Sequence, residues 1–179
     1  LTVDFRIFEE TYDGESIIHK TTCVGEILGV DDETLQVKLR KLRSDIKELK
    51  NTTSFDPKKK KILLILMMRG TSPIVAGSNT AGDGFIKMTG NLNAFDDVDG
   101  WKPVGVENIL SVDPDVIIVT TRSLSEFKNT DEFLTQTRLN LTKAGKTRNL
   151  VVADTMEMLG FGPRTPSLAS KISSQLQHQ

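Results

Sequence analysis

The sequence predicts an α/β fold in which helices wrap a parallel-type sheet, with one long helix preceding that sheet. Two continuous apolar runs, at 61–68 and 115–121, are typical of strands that are buried on both faces. A third strand is predicted at 148–154, and helical stretches alternate with all three. Ligands of such sheets bind outside the carboxyl ends of the strands, so functional residues are expected there.

The residues before the sheet predict a strand followed by two helices. Residues 3–10 alternate apolar and polar side chains, as a strand does, and residues 15–28 have apolar side chains at helical spacing. The clearest helix covers 31–51, with Asp31 or Asp32 as its cap. Its apolar side chains form one narrow stripe, which consists of Leu35, Leu39, Leu42, Ile46 and Leu49. The stripe suits either a coiled coil or a brace along a domain boundary, and its short length favours the brace.

A polar linker is predicted at 51–60, and its lysine run at Lys58–Lys61 is interpreted as solvated. Two N-glycosylation sequons, at Asn51 and Asn140, matter only in a secreted eukaryotic protein. The remaining predicted elements are helices at 79–90, capped by Asn79 or Thr80, at 104–114, at 123–136 and at 165–177.

Composition excludes several classes of function. The 179 residues carry a formal net charge of −1, which gives no global attraction for nucleic acid. No apolar run reaches the length of a membrane span, and the single Cys23 cannot form an internal disulfide. Two histidines, His19 and His178, leave little material for a zinc site or a catalytic triad. The chain starts at Leu1 without a signal-like segment, so we expect a mature product or a fragment.

The first candidate site is the exit of the strand at 61–68, where Arg69, Gly70, Thr71 and Ser72 precede Pro73. Small residues permit close approach of a ligand, and a single cation could orient it. The segment lacks both glycine spacings of phosphate-binding loops, and a proline removes one amide donor, so nucleotide binding is disfavoured.

The second candidate site is the loop "LGFGPRTP" at 159–166, which carries Phe161 and Arg164. Two glycines and two prolines predict a stiff, exposed loop, and an aromatic ring beside a cation suits a flat ligand with acidic edges. An ordinary strand-to-helix turn explains the same residues equally well. Arg69 and Arg164 are expected on the same face of the sheet, either binding an acidic ligand or bonding nearby carbonyls.

Three segments together resemble haemin-binding proteins, the periplasmic substrate-binding proteins of ABC-type haem importers. The segments are "RGTSPIVAGSNTAGDGFIKMTGNLNAF" from Arg69, "WKPVGVENILSVDPDVIIVTTRSL" from Trp101 and "LTKAGKTRNLVVADTMEMLGFGPRTP" from Leu141. The resemblance runs from about residue 60 to the end, and residues 15–50 also look like that family. Its fold implies two α/β lobes joined by one long helix, with the ligand between the lobes.

The resemblance implies a domain division and a set of roles for residues. Residues 1–30 would be the remainder of a first lobe, 31–52 the inter-lobe helix and 60–179 the second α/β lobe. Haem would be the transported ligand, with Arg69 and Arg164 suited to its propionates and Glu107 resembling the acid that docks on an ABC permease. Glu107 equally suits the first turn of a helix as an acid that the helix dipole favours. The family's tyrosine ligand to iron lies in the missing first lobe, and Tyr12 matches no ligand motif.

The expected protein is therefore a non-catalytic haem carrier that is periplasmic or otherwise exported, and an exposed lobe face could favour a dimer. Two alternatives keep the same fold. One is a carrier of a ferric siderophore or a corrinoid, and the other is a relative that no longer takes part in transport. A nucleotide-using α/β enzyme is an alternative of another class, for which the sequence offers no phosphate loop.

Overall fold

The computed structural model describes residue 7 and residues 11–54, 58–69 and 72–177, with the backbone alone at Arg69. The strand predicted at 3–10 lies almost wholly outside the described residues. The helices in the described part are α1 (Gly14–Ile27), α2 (Asp32–Ser54), α3 (Ala81–Met88), α4 (Val106–Val112), α5 (Thr121–Leu124), α6 (Thr130–Gln136), α7 (Lys143–Lys146), α8 (Thr155–Leu159) and α9 (Thr165–Gln177). The strands there are β1 (Lys61–Arg69), β2 (Ser72–Ala76), β3 (Leu92–Asn93), β4 (Trp101–Pro103), β5 (Val116–Thr120) and β6 (Leu150–Ala153).

One sheet holds these strands in the order β4-β2-β1-β5-β6, and β3 pairs with the start of β1. β1, β5 and β6 are parallel, which confirms the predicted α/β fold with a largely parallel sheet between helices. β2 is antiparallel to both β1 and β4, and the sequence analysis did not predict this hairpin. Only two residues therefore separate β1 from the next strand along the chain.

Side chains of β1 alternate between two apolar cores, one on each face of the sheet. Ile62 and Leu64 belong to the core that also contains residues of α1, α2, α3 and α9. Leu63 and Ile65 belong to the core on the opposite face, with α4 and α6. All four side chains are fully buried, which explains why the strand is one continuous apolar run.

The long helix α2 buries its apolar stripe within the chain, as the brace interpretation requires. Its five stripe residues are buried, and α2 contacts α1 and α9. Gly14 of α1 allows this close approach, because a Cβ atom there would lie 2.7 Å from Cγ2 of Ile46. Of the two predicted cap residues, Asp31 caps α2, because its carboxylate accepts the Thr34 N–H at 2.9 Å. That α2 joins two lobes stays a prediction.

Three of the four later helices predicted from the sequence are present, whereas two helices replace the one predicted at 123–136, and the short helices α7 and α8 were not predicted. Thr120 caps α5 through the Ser123 N–H, and Asn129 caps α6 through the Glu132 N–H. The second cap starts a new helix, so the chain turns between the two. Thr80 caps α3, as one of the two predicted candidates. Among the described residues, none of the helices combines the length and apolar character needed to cross a bilayer.

Replacing Leu42 by alanine should destabilise the fold, because it removes a buried contact between α2 and the main core. We expect a loss of about 2–5 kcal/mol in the free energy of unfolding, measured by urea denaturation. Val37→Ala is the matched control, since Val37 lies on the exposed face of the same helix. It should change the free energy by no more than about 0.5 kcal/mol. Equal effects of the two substitutions would contradict the packing described for α2.

Candidate functional site

The carboxyl ends of β1, β5 and β6 share one edge of the sheet, and this edge is the candidate site. β1 ends at Arg69, whose Cα pairs with that of Ser72 across the hairpin. Ser72 is half-buried as the first residue of β2. Gly70, Thr71 and the Arg69 side chain lie outside the described residues. Their assignment to a ligand site stays a prediction.

Hydrogen bonds to one carbonyl lock the ends of β1 and β5 together. The Leu66 carbonyl accepts the Thr120 hydroxyl at 2.9 Å and the Ser123 hydroxyl at 3.1 Å. Both hydroxyl-bearing residues are fully buried. Arg122, between them in the sequence, is exposed on α5. The edge therefore combines a rigid base with a cation that faces solvent.

The end of β6 leads into α8, which presents an apolar side chain to solvent. The Asp154 carboxylate caps α8 by accepting the Met156 N–H at 2.9 Å and the Glu157 N–H at 3.0 Å. Met156 itself is 71% exposed, which is unusual for a methionine. A flexible, polarisable side chain at this position can adapt to an apolar ligand surface.

The loop at 159–166 differs from its prediction, because Phe161 is buried rather than exposed. Its side chain is 0% exposed and packs edge-on against Tyr12, with ring centroids 5.4 Å apart. Gly84 lies beneath the two rings, where a Cβ atom would come within 2.5 Å of the Tyr12 Cβ. The expectation of an exposed ring was wrong, and Phe161 cannot stack on a ligand from this position. It instead anchors the loop to the core.

Buried polar contacts hold the rest of this loop. The Thr165 hydroxyl donates to the Glu157 carbonyl at 2.8 Å and accepts the Gly162 N–H at 3.1 Å. The Lys20 ammonium of α1 donates to the Gly160 carbonyl at 3.0 Å. Partial burial lowers the pKa of Lys20. The loop is thus fixed to both α1 and α8, which positions Arg164 at its outer end.

Arg164 is exposed and forms a weak ion pair. Its guanidinium lies 3.5 Å from the Glu157 carboxylate, and its side chain is 73% exposed. Exposed pairs of this kind contribute little to stability. An anionic ligand could therefore replace Glu157 as the partner of Arg164 at small cost.

Glu107 lies in the first turn of α4. Its side chain is 76% exposed and lies 3.6 Å from the Arg138 guanidinium. No side chain caps α4 at Gly105, so an acid in the first turn also compensates unpaired N–H groups. The first-turn position agrees with the helix-dipole role, and the docking role of Glu107 stays a prediction.

A cavity of about 570 Å³ lies elsewhere, between the start of α1, the second half of α2 and α3. Its lining includes Asp13, Lys50, Asp83 and Lys87, and none of the predicted site residues. Asp83 already bonds Lys87 at 2.6 Å and Asn93 at 3.1 Å. Asp13 accepts the Ser16 N–H at 2.8 Å. Because these carboxylates are satisfied internally, the cavity is a weaker candidate than the strand edge.

Sequence reasoning did not assign Glu157 or Lys20 to the site. Their spacing relative to Arg164 matches no motif, and Lys20 reaches the loop only because the folded chain brings α1 against it. Within the described residues, no cluster of three or more histidine, cysteine, aspartate or glutamate side chains could hold a metal ion.

The family model described as "Periplasmic binding protein" matches residues 1–156. The periplasmic haem-binding protein BhuT, in complex with two haems, has a TM-score of 0.86 and 28% identity over 96% of this chain. HutB, a periplasmic haem-binding protein of Vibrio cholerae, has a TM-score of 0.81 and 25% identity, covering 92% of this chain and 64% of HutB.

A possible iron-binding protein of Staphylococcus epidermidis shares the fold, with a TM-score of 0.75 and 18% identity over 96% of this chain and 65% of that one. This chain covers 65% of the length of BhuT, which is less than two thirds. Comparison with curated protein sequences finds no similar protein.

The burial of Phe161 predicts a structural role for its ring. Phe161→Ala should lower the free energy of unfolding by about 3–5 kcal/mol, because a fully buried aromatic is lost. Met156→Ala, at the exposed end of the same region, should change it by less than about 0.5 kcal/mol. Thermal and denaturant unfolding of both variants measures the difference. A Phe161→Ala variant as stable as the Met156→Ala variant would show that the ring is not part of the core.

Proposed function

The chain belongs to the periplasmic binding protein family, as its sequence resemblance implied, and we propose that it binds haem as a carrier without catalysis. One observation carries the proposal. The carboxyl edge of the sheet presents exposed cations, Arg122 and Arg164, together with the exposed Met156. Haem needs this combination, because it has two acidic propionates and two large apolar faces.

Arg164 is the proposed partner of a haem propionate. Its guanidinium can bond a carboxylate through two parallel N–H groups, and its present partner Glu157 is easily displaced. Arg69, at the end of the neighbouring β1 strand, is proposed to serve a second acidic group. Gly70, Thr71 and Ser72, which follow Arg69 in the sequence, are proposed as small residues that would allow the macrocycle to approach.

Burial of the macrocycle would supply most of the binding energy, with Met156 as one apolar contact. Phe161 has no part in this contact, since it is buried. The iron ligand is proposed to come from a first lobe that forms the opposite wall of the cleft, not from this chain's Tyr12. Tyr12 packs on Phe161 and is committed to the core.

Delivery to an ABC permease is the second part of the proposal, with Glu107 as the docking acid. Its exposure and its long 3.6 Å contact with Arg138 leave it free to meet an arginine of another protein. The site of action would be the periplasm or another exported location. A ferric siderophore or a corrinoid remains the alternative ligand, and the spectrum of the bound molecule distinguishes it from haem.

A haemin titration of this chain tests the ligand assignment. We expect a saturable shift of the Soret band, and opposite effects of two substitutions in the same ion pair. Arg164→Gln should weaken binding by about threefold to tenfold, because a propionate loses its cation. Glu157→Gln should strengthen binding modestly, since it removes both a competitor for Arg164 and a like charge.

Arg40→Gln on the exposed face of α2 is the charge-matched control and should leave the titration unchanged. If Arg40→Gln weakened haemin binding as much as Arg164→Gln, the effect would come from the loss of one positive charge and not from its position. That result would overturn the proposed site. If the chain bound a ferric siderophore or cobalamin saturably and gave no response to haemin, haem would be the wrong ligand. The carrier function would still stand.

The docking role of Glu107 predicts a separate phenotype. Glu107→Gln should lower haem uptake through the cognate permease in proteoliposomes by about threefold to tenfold, while haemin affinity stays unchanged. Glu126→Gln, an exposed acid on the segment after α5, is the matched control and should transport normally. If the Glu107→Gln variant transported haem normally, Glu107 would serve only to stabilise the first turn of α4.

A further inference from the structure

Positive side chains gather at the amino ends of the parallel strands, the edge opposite the candidate haem site. Lys58–Lys61 lead into β1, while Lys143, Lys146 and Arg148 precede β6. Because β1, β5 and β6 run parallel, their starts lie on one edge, and two basic segments far apart in sequence meet there. From the sequence alone, the lysine run Lys58–Lys61 is interpreted as a solvated linker.

Three of these side chains, Lys60, Lys143 and Arg148, line a pocket. The pocket has a volume of about 300 Å³ and is lined by Lys60, Asp115, Lys143, Thr147, Arg148 and Asn149. This volume is at the lower limit for small-molecule sites, so the pocket suits a compact ligand.

The one acid in the pocket wall is already neutralised. The Asp115 carboxylate accepts the Lys61 N–H at 2.8 Å and pairs with the Lys143 ammonium. Burial raises the pKa of Asp115, but these hydrogen bonds outweigh burial and hold it below its ordinary value. Asp115 and Lys143 therefore carry opposite charges at neutral pH and balance each other.

Two further cations give the pocket its positive charge. Lys60 is half-buried at the pocket wall. Arg148 lies 3.3 Å from Asp131, and both side chains are largely exposed, so their pairing is weak. A guanidinium and an ammonium facing one small cavity are suited to an anion with several acceptor oxygens.

Asn149 adds a second feature to the pocket wall. Its amide nitrogen donates to the Asp115 carbonyl at 2.9 Å, which fixes the orientation of the amide. Its Oδ1 atom is buried and has no hydrogen-bond partner among the described residues. The amide therefore forms a fixed part of the pocket wall.

We propose that this amino-end pocket binds a phosphate group, with Lys60 and Arg148 as its charge partners. A phosphate group offers more acceptor oxygens to the ammonium and the guanidinium than the two of a carboxylate. The pocket is separate from the proposed haem edge, so the proposal does not depend on the ligand there.

Titration calorimetry of the chain with inorganic pyrophosphate tests the pocket, using two substitutions at one exposed rim residue. Thr147→Glu places a carboxylate beside the anion and should weaken binding at least tenfold. Thr147→Gln has nearly the same size without the charge and should stay within about twofold. Haemin titration and the unfolding midpoint of both variants should match the wild type, which separates this site from the haem edge and from misfolding.

A charge-matched pair of double variants completes the test. Lys60→Gln with Arg148→Gln should abolish saturable pyrophosphate binding, whereas Lys38→Gln with Arg40→Gln, exposed on α2, should retain it. Equal losses in the two double variants, equal effects of Thr147→Glu and Thr147→Gln, or no saturable binding by the wild type would each overturn the proposal.

Vesicles of phosphatidylglycerol in phosphatidylcholine distinguish a lipid phosphate from a free one. Displacement of the chain from such vesicles by pyrophosphate would assign a lipid headgroup to the pocket. Pyrophosphate binding without vesicle binding would assign a free phosphate compound. If the chain bound the vesicles and pyrophosphate did not displace it, the binding would come from a diffuse basic surface. That result would overturn the proposed phosphate pocket.

Discussion

The burial of β1 on both faces is the constraint on which the rest of the structure depends. Four consecutive side chains, Ile62–Ile65, are completely buried, and they alternate between two separate cores. Helices must therefore cover each face of the sheet, and the neighbouring parallel strands must lie edge to edge with β1. Only the two ends of the strand remain to carry charged or polar chemistry. Arg69 stands at one end and Lys60 precedes the other.

Rigidity at the carboxyl edge comes from groups that do not themselves face a ligand. The Leu66 carbonyl takes two hydroxyls, and Phe161 fills the space over Gly84 against Tyr12. These contacts fix the loops, so the few exposed side chains, Arg164 among them, project from a defined base. A binding face made in this way loses little conformational entropy when a ligand arrives, which favours affinity.

The sequence predicted the elements whose signals are local. The limits of α9, the stripe and cap of α2, the cap of α3, the two buried strands β1 and β5 and the third parallel strand β6 all follow from spacing within a few residues. The β1–β2 hairpin was missed because Gly70 and Pro73 indicate a turn without saying whether a strand or a ligand loop follows. The burial of Phe161 was missed for a different reason. Its pocket is made by residues 12 and 84, and no local pattern connects these positions to residue 161.

The two proposed sites should act independently, because the length of β1 separates them. Nine residues of strand at about 3.3 Å each span about 30 Å. The Debye length at physiological ionic strength is about 8 Å, so charges at one end are largely screened from the other. Coupling would then need a mechanical route, and the buried side chains of β1 are closely packed on both faces. A core of this kind has no second arrangement of similar energy that a ligand at one end could select. Phosphate at the amino edge would therefore tether or locate the protein without altering its affinity for haem.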